Sequence, residues 1–250
     1  MQAEAAPFVQ HMGLKEAPGL LPGPLTCGCW QGSAHGVELV VITNGTDARF
    51  GVCSVGTVPA ALATYAVLST LKPDLLLNAG TAGGFKVRGP ARVRRTPRAP
   101  APAADCHAQA RGGSVGDVYI STALRNHDRR IELPVFDECV VGSQRAMPSL
   151  AHALLRRYGI WAVESPPAPR LVAALGLKTG IVSSGNSLNC GPEDRAALDA
   201  SGACIKEMEG AAIAYVASLY SVPLLAVKAI TDIVDGGSVS GALLLTAVSA

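Results

Sequence analysis

The sequence predicts an α/β fold in which strands and helices alternate within one domain. Short apolar, β-branched runs alternate with small-residue segments of helical character, and strand–helix–strand repetition favours a largely parallel sheet. A chain of 250 residues, 49% of them hydrophobic, is long and apolar enough to bury one sizeable core. With only 16% charged residues, the composition also excludes an intrinsically disordered chain.

The first half of the chain contains two predicted strands and one helix. Residues 38–43 form a β-branched run and predict a strand. Residues 60–68 predict a helix, with Thr57 or Val58 near its cap and Pro59 in its first turn. The continuously apolar residues 75–78 predict a short strand buried on both faces, which a glycine-rich turn at 80–84 terminates.

The second half continues the alternation. Residues 116–121 and 177–183 predict strands, the second ending in Ser-Gly-Asn at 184–186. Residues 209–219 predict a helix rich in alanine, and the apolar residues 222–230 predict the strand that follows it.

Two segments interrupt this pattern. Residues 90–112 are rich in Arg, Pro and Ala, lack periodicity and predict a disordered surface insertion. Residues 139–157 are a second insertion, with a short helix expected at 150–157. We therefore expect one domain over residues 1–250 that carries two insertions.

Charge and cysteine content narrow the classes of function. A net charge of +2 gives no electrostatic drive toward nucleic acid or an acidic membrane, and 4% aromatic residues argue against base stacking. Seven scattered cysteines do not form a disulfide framework, and the one-residue spacing of Cys27 and Cys29 does not fit a zinc knuckle. No signal peptide and no apolar run of about 18 residues is visible. We expect a cytoplasmic protein with reduced thiols, no metal site, no nucleic-acid partner and no membrane segment.

Three local patterns could carry chemistry, and each also has a purely structural interpretation. The glycine-rich residues 80–84 follow a buried strand, where α/β sheets bind ligands, although a tight turn without a ligand fits equally well. Glu207 and Glu209 precede a helix, where acids are also favoured by the helix dipole. Asp232 follows an apolar strand, where it is placed either for catalysis or as a cap or turn residue.

Other motifs are absent or ambiguous. The chain contains neither a P-loop nor a Gly-x-Ser-x-Gly elbow. His127, within Asn-His-Asp-Arg-Arg at 126–130, is best interpreted as part of a loop or interface network.

Taken in order, the motifs resemble those of a known family. NAGTAGG at 78–84, KEMEG at 206–210 and TDIVDG at 231–236 follow MQAEA at 1–5, with support from SVGTVPA at 54–60, GDV at 116–118, HDRR at 127–130 and SGNSL at 184–188. This set resembles the 5′-methylthioadenosine nucleosidases, especially the plant-type members, within the wider family of purine and uridine nucleoside phosphorylases. The resemblance implies a single-domain, three-layer α/β fold with a central mixed, twisted sheet flanked by helices.

The resemblance also implies an activity. Members of the family cleave the bond between adenine and a thio-substituted ribose with water and no cofactor. Carried over to this chain, Asp232 resembles the general acid that protonates nitrogen 7 of adenine, and Glu4 the base that activates water. A protonated leaving group and nearby carboxylates suit an oxocarbenium-like transition state.

The remaining family positions concern the nucleoside pocket. Glu209 resembles the carboxylate that holds the ribose hydroxyls, and Met208 the residue that packs against sugar and base. The further pocket residues that the resemblance implies are Thr81 near the ribose, Leu188 over adenine, and Lys206 and Glu207 in the lining. Members of the family are homodimers, so the implied partners are a nucleoside substrate and a second copy of the chain.

Alternatives remain open from sequence alone. A purine nucleoside phosphorylase would need cationic groups for phosphate, whereas residues 80–84 contain no arginine and Glu4 would repel phosphate. A catalytically impaired nucleoside-binding relative also remains, because Asn186 stands where the family has Asp and the Met-x-x-Glu motif begins the chain. Whether S-adenosylhomocysteine is accepted is not decided by these residues.

Overall fold

The structure, a computed structural model, describes residues 1–86, 112–129 and 163–236. The expected insertion at 90–112 lies outside these residues except for Gly112, and the insertion at 139–157 lies wholly outside them. Within the described ranges, no helix combines the length and hydrophobicity needed to cross a bilayer.

The centre of the fold is a mixed six-stranded sheet. Its strand order is β11-β6-β10-β9-β7-β8, and β7 also pairs with β11, so five of the strands close into a ring. The β6–β11, β9–β10 and β7–β9 pairs are parallel, whereas β6–β10, β7–β11 and β7–β8 are antiparallel. The strands of this sheet are β6 (Leu76–Gly84), β7 (Val118–Asn126), β8 (Val163–Glu164), β9 (Lys178–Ser184), β10 (Ala203–Glu207) and β11 (Leu224–Ile233).

Five helices are described around the strands. They are α1 (Gln2–His11), α2 (Thr57–Thr70), α3 (Pro169–Leu175), α4 (Pro192–Ser201) and α5 (Gly210–Leu219). Helices α2 and α5 confirm the helices predicted at 60–68 and 209–219, whereas the short helix expected at 150–157 lies outside the described residues. Helix α5 packs against α2, β7 and β9, and its alanines are buried because small side chains let the helix lie close to the sheet.

The N-terminal region adds smaller sheets. Strands β1 (Lys15–Glu16), β2 (Gly28–Ala34) and β3 (Val37–Thr43) form an antiparallel sheet, and β4 (Thr46–Asp47) pairs with β5 (Val52–Cys53). Strand β3 confirms the strand predicted at 38–43. Helix α1 contacts both β3 and β6, so it joins this region to the central sheet.

Strand β6 corrects one sequence prediction. The glycine-rich residues 80–84 do not form a turn but continue the strand, paired with β11 from Gly80 to Gly84. The expectation of burial on both faces was also wrong for the first half, where the Leu77 side chain is 61% exposed. Strand β10 pairs with β6 at Gly83 and Gly84, so the beginning of β6 has, among the described strands, a neighbour on one side only.

Strands β10 and β11 bring further corrections. The sequence predicts no strand directly before the helix at 209–219, but residues 203–207 form strand β10, whose charged residues concealed the strand pattern. Strand β11 does not stop at Ile230 but runs to Ile233, with a register shift between Ile230 and Asp232. The bulge at Thr231 re-aims the residue that follows it, as bulges beside functional sites commonly do.

Candidate active site

One candidate acid is bound directly to strand β6. Oε1 of Glu4, on α1, accepts hydrogen bonds from the backbone N–H of Thr81 at 2.9 Å and from its hydroxyl at 2.6 Å. The amino group of Met1 donates to the other oxygen. Burial alone would raise the pKa of Glu4, but these hydrogen bonds lower it below its ordinary value. Glu4 is therefore held as a carboxylate, the form that accepts a proton.

A second acid, Asp232 of the neighbouring strand β11, lies beside Gly83, two residues beyond Thr81 on β6. The register pairs Asp232 of β11 with Gly83 on one side, and Lys206 of β10 with Gly83 on the other. A Cβ atom on Gly83 would approach Oδ2 of Asp232 to 3.1 Å and the side chain of Val234 to 2.6 Å, so only glycine leaves room here. Burial raises the pKa of Asp232, partly offset by the Thr231 hydroxyl and the Lys206 charge, which favours a protonated acid.

The positions of the two acids follow from the pleat of β6. Thr81 and Gly83 share one face of the strand and are about 7 Å apart along it. Glu4 approaches at the first position and Asp232 at the second. Glu4, whose pKa is lowered, and Asp232, whose pKa is raised, therefore approach the same strand at neighbouring positions of one face.

A third carboxylate faces the start of helix α2. Oε1 of Glu209, the residue before α5, accepts a hydrogen bond from the N–H of Gly56 at 2.9 Å. Burial and the charge of Glu207 raise the pKa of Glu209, whereas the Gly56 N–H lowers it. Met208 lies between the two glutamates and is partly buried.

Glu207 lies beneath the site, where it makes a buried ion pair. Its side chain is 2% exposed, that of Lys228 is 3% exposed, and Nζ of Lys228 lies 3.1 Å from Oε2. The carboxylate also accepts the N–H groups of Glu209 and Gly210 and the Ser184 hydroxyl. Its oxygens are thus occupied by protein donors, one of which is the backbone N–H of Glu209.

The ammonium group of Lys206 is not free but binds the backbone of the loop at 187–188. Its buried Nζ donates to the carbonyl oxygens of Ser187 at 2.6 Å and Leu188 at 3.0 Å. Burial lowers its pKa, with opposing effects from Cys190, Asp194 and Asp232. The Leu188 side chain itself is 62% exposed. Lys206 therefore links the loop at 187–188 to the neighbourhood of Asp232.

Sequence reasoning missed two functional neighbours. Lys228 was treated only as part of the apolar strand at 222–230. A single charged residue within such a run indicates a buried partner of opposite charge, which here is Glu207. Asn186, noted only as a departure from the family, accepts the N–H and the hydroxyl of Thr57 at 3.0 and 2.9 Å.

His127 belongs to the packing of the fold. It is 3% exposed, its Nδ1 lies 3.1 Å from the Ser183 hydroxyl, and burial lowers its pKa to about 4. The imidazole is therefore neutral near pH 7 and makes a buried polar contact just after the end of β7.

Other features lie apart from these acids. A cavity of about 300 Å³ is lined by residues including Val163, Ala214 and Leu224, and none of the three candidate carboxylates borders it. In the part of the chain that the structure describes, no cluster of three or more His, Cys, Asp or Glu side chains could hold a metal ion. The described cysteines, at 27, 29, 53, 190 and 204, are free thiols.

Fold and site together define a class of protein. The chain belongs to the phosphorylase superfamily, whose family model matches residues 1–244. It is 36% identical, over 94% of its length and 77% of the relative's, to the 5′-methylthioadenosine/S-adenosylhomocysteine nucleosidase of Arabidopsis thaliana. It is 38% identical to the 5′-methylthioadenosine nucleosidase of the same plant, over 94% of this chain and 73% of the relative.

A solved structure agrees with these sequence relatives. The apo form of Arabidopsis thaliana 5′-methylthioadenosine nucleosidase is 35% identical, with a TM-score of 0.78. The match covers 100% of this chain and 85% of the other. The single-domain α/β fold implied by the sequence resemblance is confirmed.

Proposed function

We propose that this protein is a hydrolase that cleaves the N-glycosidic bond of 5′-methylthioadenosine, releasing adenine and 5-methylthioribose for methionine salvage. The observation that carries the proposal is the pair of acids Glu4 and Asp232, which lie beside Thr81 and Gly83 of β6. The pKa of Glu4 is lowered and that of Asp232 is raised, so one group is set to accept a proton and the other to donate one.

Asp232 acts on the leaving group. Adenine leaves poorly as an anion, so a proton must reach nitrogen 7 as the bond from nitrogen 9 to C1′ breaks. A carboxyl group can supply that proton only if it keeps it near neutral pH, which burial of Asp232 promotes. The ribose that remains has oxocarbenium character and needs anionic neighbours.

Glu4 acts on the nucleophile. Its carboxylate takes a proton from water as the water oxygen forms the new bond to C1′, so the products are neutral adenine and the free sugar. Thr81 holds the carboxylate by two hydrogen bonds and fixes the direction of its oxygens.

The other predicted residues bind the nucleoside. Glu209 accepts hydrogen bonds from the ribose hydroxyls, and Met208 packs against the sugar and base. Leu188 covers adenine on the loop that Lys206 fastens, while Glu207 positions the backbone before α5.

Water is favoured over phosphate as the nucleophile. Both donors of Thr81 are already directed at Glu4, and a carboxylate at this position repels a phosphate dianion. Lys228 beside Gly80 is paired with Glu207, and the Met1 amino group is paired with Glu4. These contacts support a hydrolase over a phosphorylase.

We further propose that the protein acts as a cytoplasmic homodimer whose chain forms one domain with insertions at 90–112 and 139–157. The side chains of Val58, Leu62 and Tyr65 are exposed along one face of α2. A second copy of the chain would cover this apolar stripe. Analytical ultracentrifugation should find a dimer, and Leu62→Asp should shift it toward the monomer.

The function is tested by identifying the sugar product. Purified protein is incubated with 5′-methylthioadenosine in ¹⁸O-labelled water, with and without phosphate. We expect free 5-methylthioribose carrying ¹⁸O at C1 under both conditions. A sugar 1-phosphate that forms only with phosphate would indicate a phosphorylase, and binding without product would indicate the impaired relative.

A further inference from the structure

We infer that Asn186 is a positioning residue that fixes the start of helix α2 so that the Gly56 N–H holds the carboxylate of Glu209. The inference rests on the proposed function in one respect, namely the role of Glu209 in binding the ribose. It concerns the loop after β9 and the start of α2, not Glu4 of α1 or Asp232 of β11.

The first step is the contact between Asn186 and α2. Its side-chain Oδ1 accepts the backbone N–H of Thr57 at 3.0 Å and the Thr57 hydroxyl at 2.9 Å. The backbone N–H of Asn186 in turn donates to Oδ2 of Asp128 at 3.0 Å. Asp128 therefore holds the backbone of Asn186 while the Asn186 side chain binds Thr57, the first residue of the helix.

The second step is the need of α2 for an external cap. The first N–H groups of a helix lack partners within it, and a polar side chain before the helix usually satisfies one of them. Here the residue before α2 is Gly56, which has a φ of +98° and no side chain to offer. Asn186, from the loop after β9, supplies the missing acceptor.

The third step connects this cap to Glu209. The N–H groups of Gly56 and Thr57 are consecutive, and they point to Glu209 Oε1 and to Asn186 Oδ1 respectively. A Cβ atom on Gly56 would lie 3.1 Å from Asn186 Oδ1, so the turn fits closely against the amide. Loss of the Asn186 contact frees the turn, and the donor to Glu209 loses its fixed direction.

The proposal predicts different effects on the binding of nucleosides and of free adenine, whereas a general loss of stability would weaken both. Adenine alone does not contact Glu209 in the proposed binding mode, whereas a nucleoside does through its ribose hydroxyls. Weakening the Gly56–Glu209 contact should therefore affect ligands that carry ribose and spare the free base.

The test measures dissociation constants by calorimetry for adenine and for 5′-methylthioformycin, whose carbon–carbon glycosidic bond resists cleavage. For Asn186→Ala we expect nucleoside binding to weaken about tenfold, because two hydrogen bonds to the turn are lost, while adenine binding changes less than about twofold. Asn186→Asp should restore binding to within about threefold of the parent, because a carboxylate oxygen accepts the same two hydrogen bonds.

A milder variant guards against misfolding. Thr57→Val removes the hydroxyl donor but keeps the N–H, so we expect about a threefold loss confined to the nucleoside. Equal weakening of both ligands in either variant, or failure of Asn186→Asp to improve on Ala, would overturn the proposal. Because binding is measured without turnover, these results are independent of whether the parent protein hydrolyses its substrate.

Discussion

The N–H and the hydroxyl of Thr81 both donate to the same oxygen of Glu4, at 2.9 and 2.6 Å. This relationship joins helix α1 to the central strand β6 and holds the carboxylate of Glu4 in one orientation. Together with the hydrogen bond from the Met1 amino group, it lowers the pKa of Glu4 despite the burial of the group.

Replacing Thr81 should weaken the base without removing it. Thr81→Val deletes one of the two donors, so the pKa of Glu4 should rise and the acidic limb of the kcat/KM profile should move to higher pH. Activity at pH 7 should fall about tenfold, whereas Glu4→Gln should cost about 100- to 10,000-fold. The matched control is Glu16→Gln, an exposed glutamate on β1, which should leave the profile unchanged. An acidic limb that stays in place in Thr81→Val would contradict this role.

The alkaline limb of the pH profile of kcat/KM should reflect the pKa of Asp232 and should shift when Lys206 is replaced. Asp232 works as an acid below its pKa, so activity declines as pH rises through that value. The Lys206 charge lowers the pKa of Asp232, and Lys206→Met should therefore move the alkaline limb upward in pH. The same variant loses two hydrogen bonds to the loop at 187–188, so the KM should also rise. A limb that moves downward would show that another group controls it.

The buried pair of Glu207 and Lys228 should matter for stability more than for binding. Lys228→Met leaves a buried carboxylate without its cation and should lower the free energy of unfolding by about 3–5 kcal/mol. The pKa of Glu207 is lowered in the fold, so its contribution is present above its unfolded pKa and is lost as pH falls through the folded value. Urea unfolding of Lys228→Met and of the Glu207→Gln/Lys228→Met double variant measures the effect. Full stability in the single variant would contradict it.

The glycine at 83 should be required for the placement of Asp232. In Gly83→Ala the new methyl group meets Val234 at 2.6 Å and Asp232 at 3.1 Å, so Asp232 must move and activity should fall about 100-fold. Gly113→Ala is the control, because its methyl group would meet only ordinary contacts from 3.6 Å outward. Steady-state kinetics of the two variants separate the effects, and equal activities would argue against a close fit at Gly83.

The sequence predicted several strands of the two larger sheets, because apolar strands such as β3 and β9 have strong local patterns. It missed β10, whose last residues are polar because Lys206 donates to the carbonyl oxygens at 187–188 and Glu207 pairs with Lys228. It also ended β11 before Asp232, since a bulge that depends on pairing with β6 leaves no local signal.

In the candidate site too, the sequence predicted residues that lie in local motifs but not the contacts between distant parts of the chain. The acids Glu4, Glu209 and Asp232 were identified from their motifs, but their surroundings depend on residues distant in sequence. Asn186 meets Thr57 across 129 positions, and Gly56 meets Glu209 across 153, so local reasoning could not reveal either contact. Lys228 was concealed by the apolar strand around it.

The most direct test of the account is adenine release from 5′-methylthioadenosine in phosphate-free buffer by the parent protein and Asp232→Asn. The matched control is Asp235→Asn, three residues further along, where the carboxylate accepts the Lys86 N–H and pairs with Arg195. We predict steady release by the parent and the control, and a loss of about 100- to 10,000-fold in Asp232→Asn. Release that requires phosphate, or that survives in Asp232→Asn at the parent rate, would contradict the account.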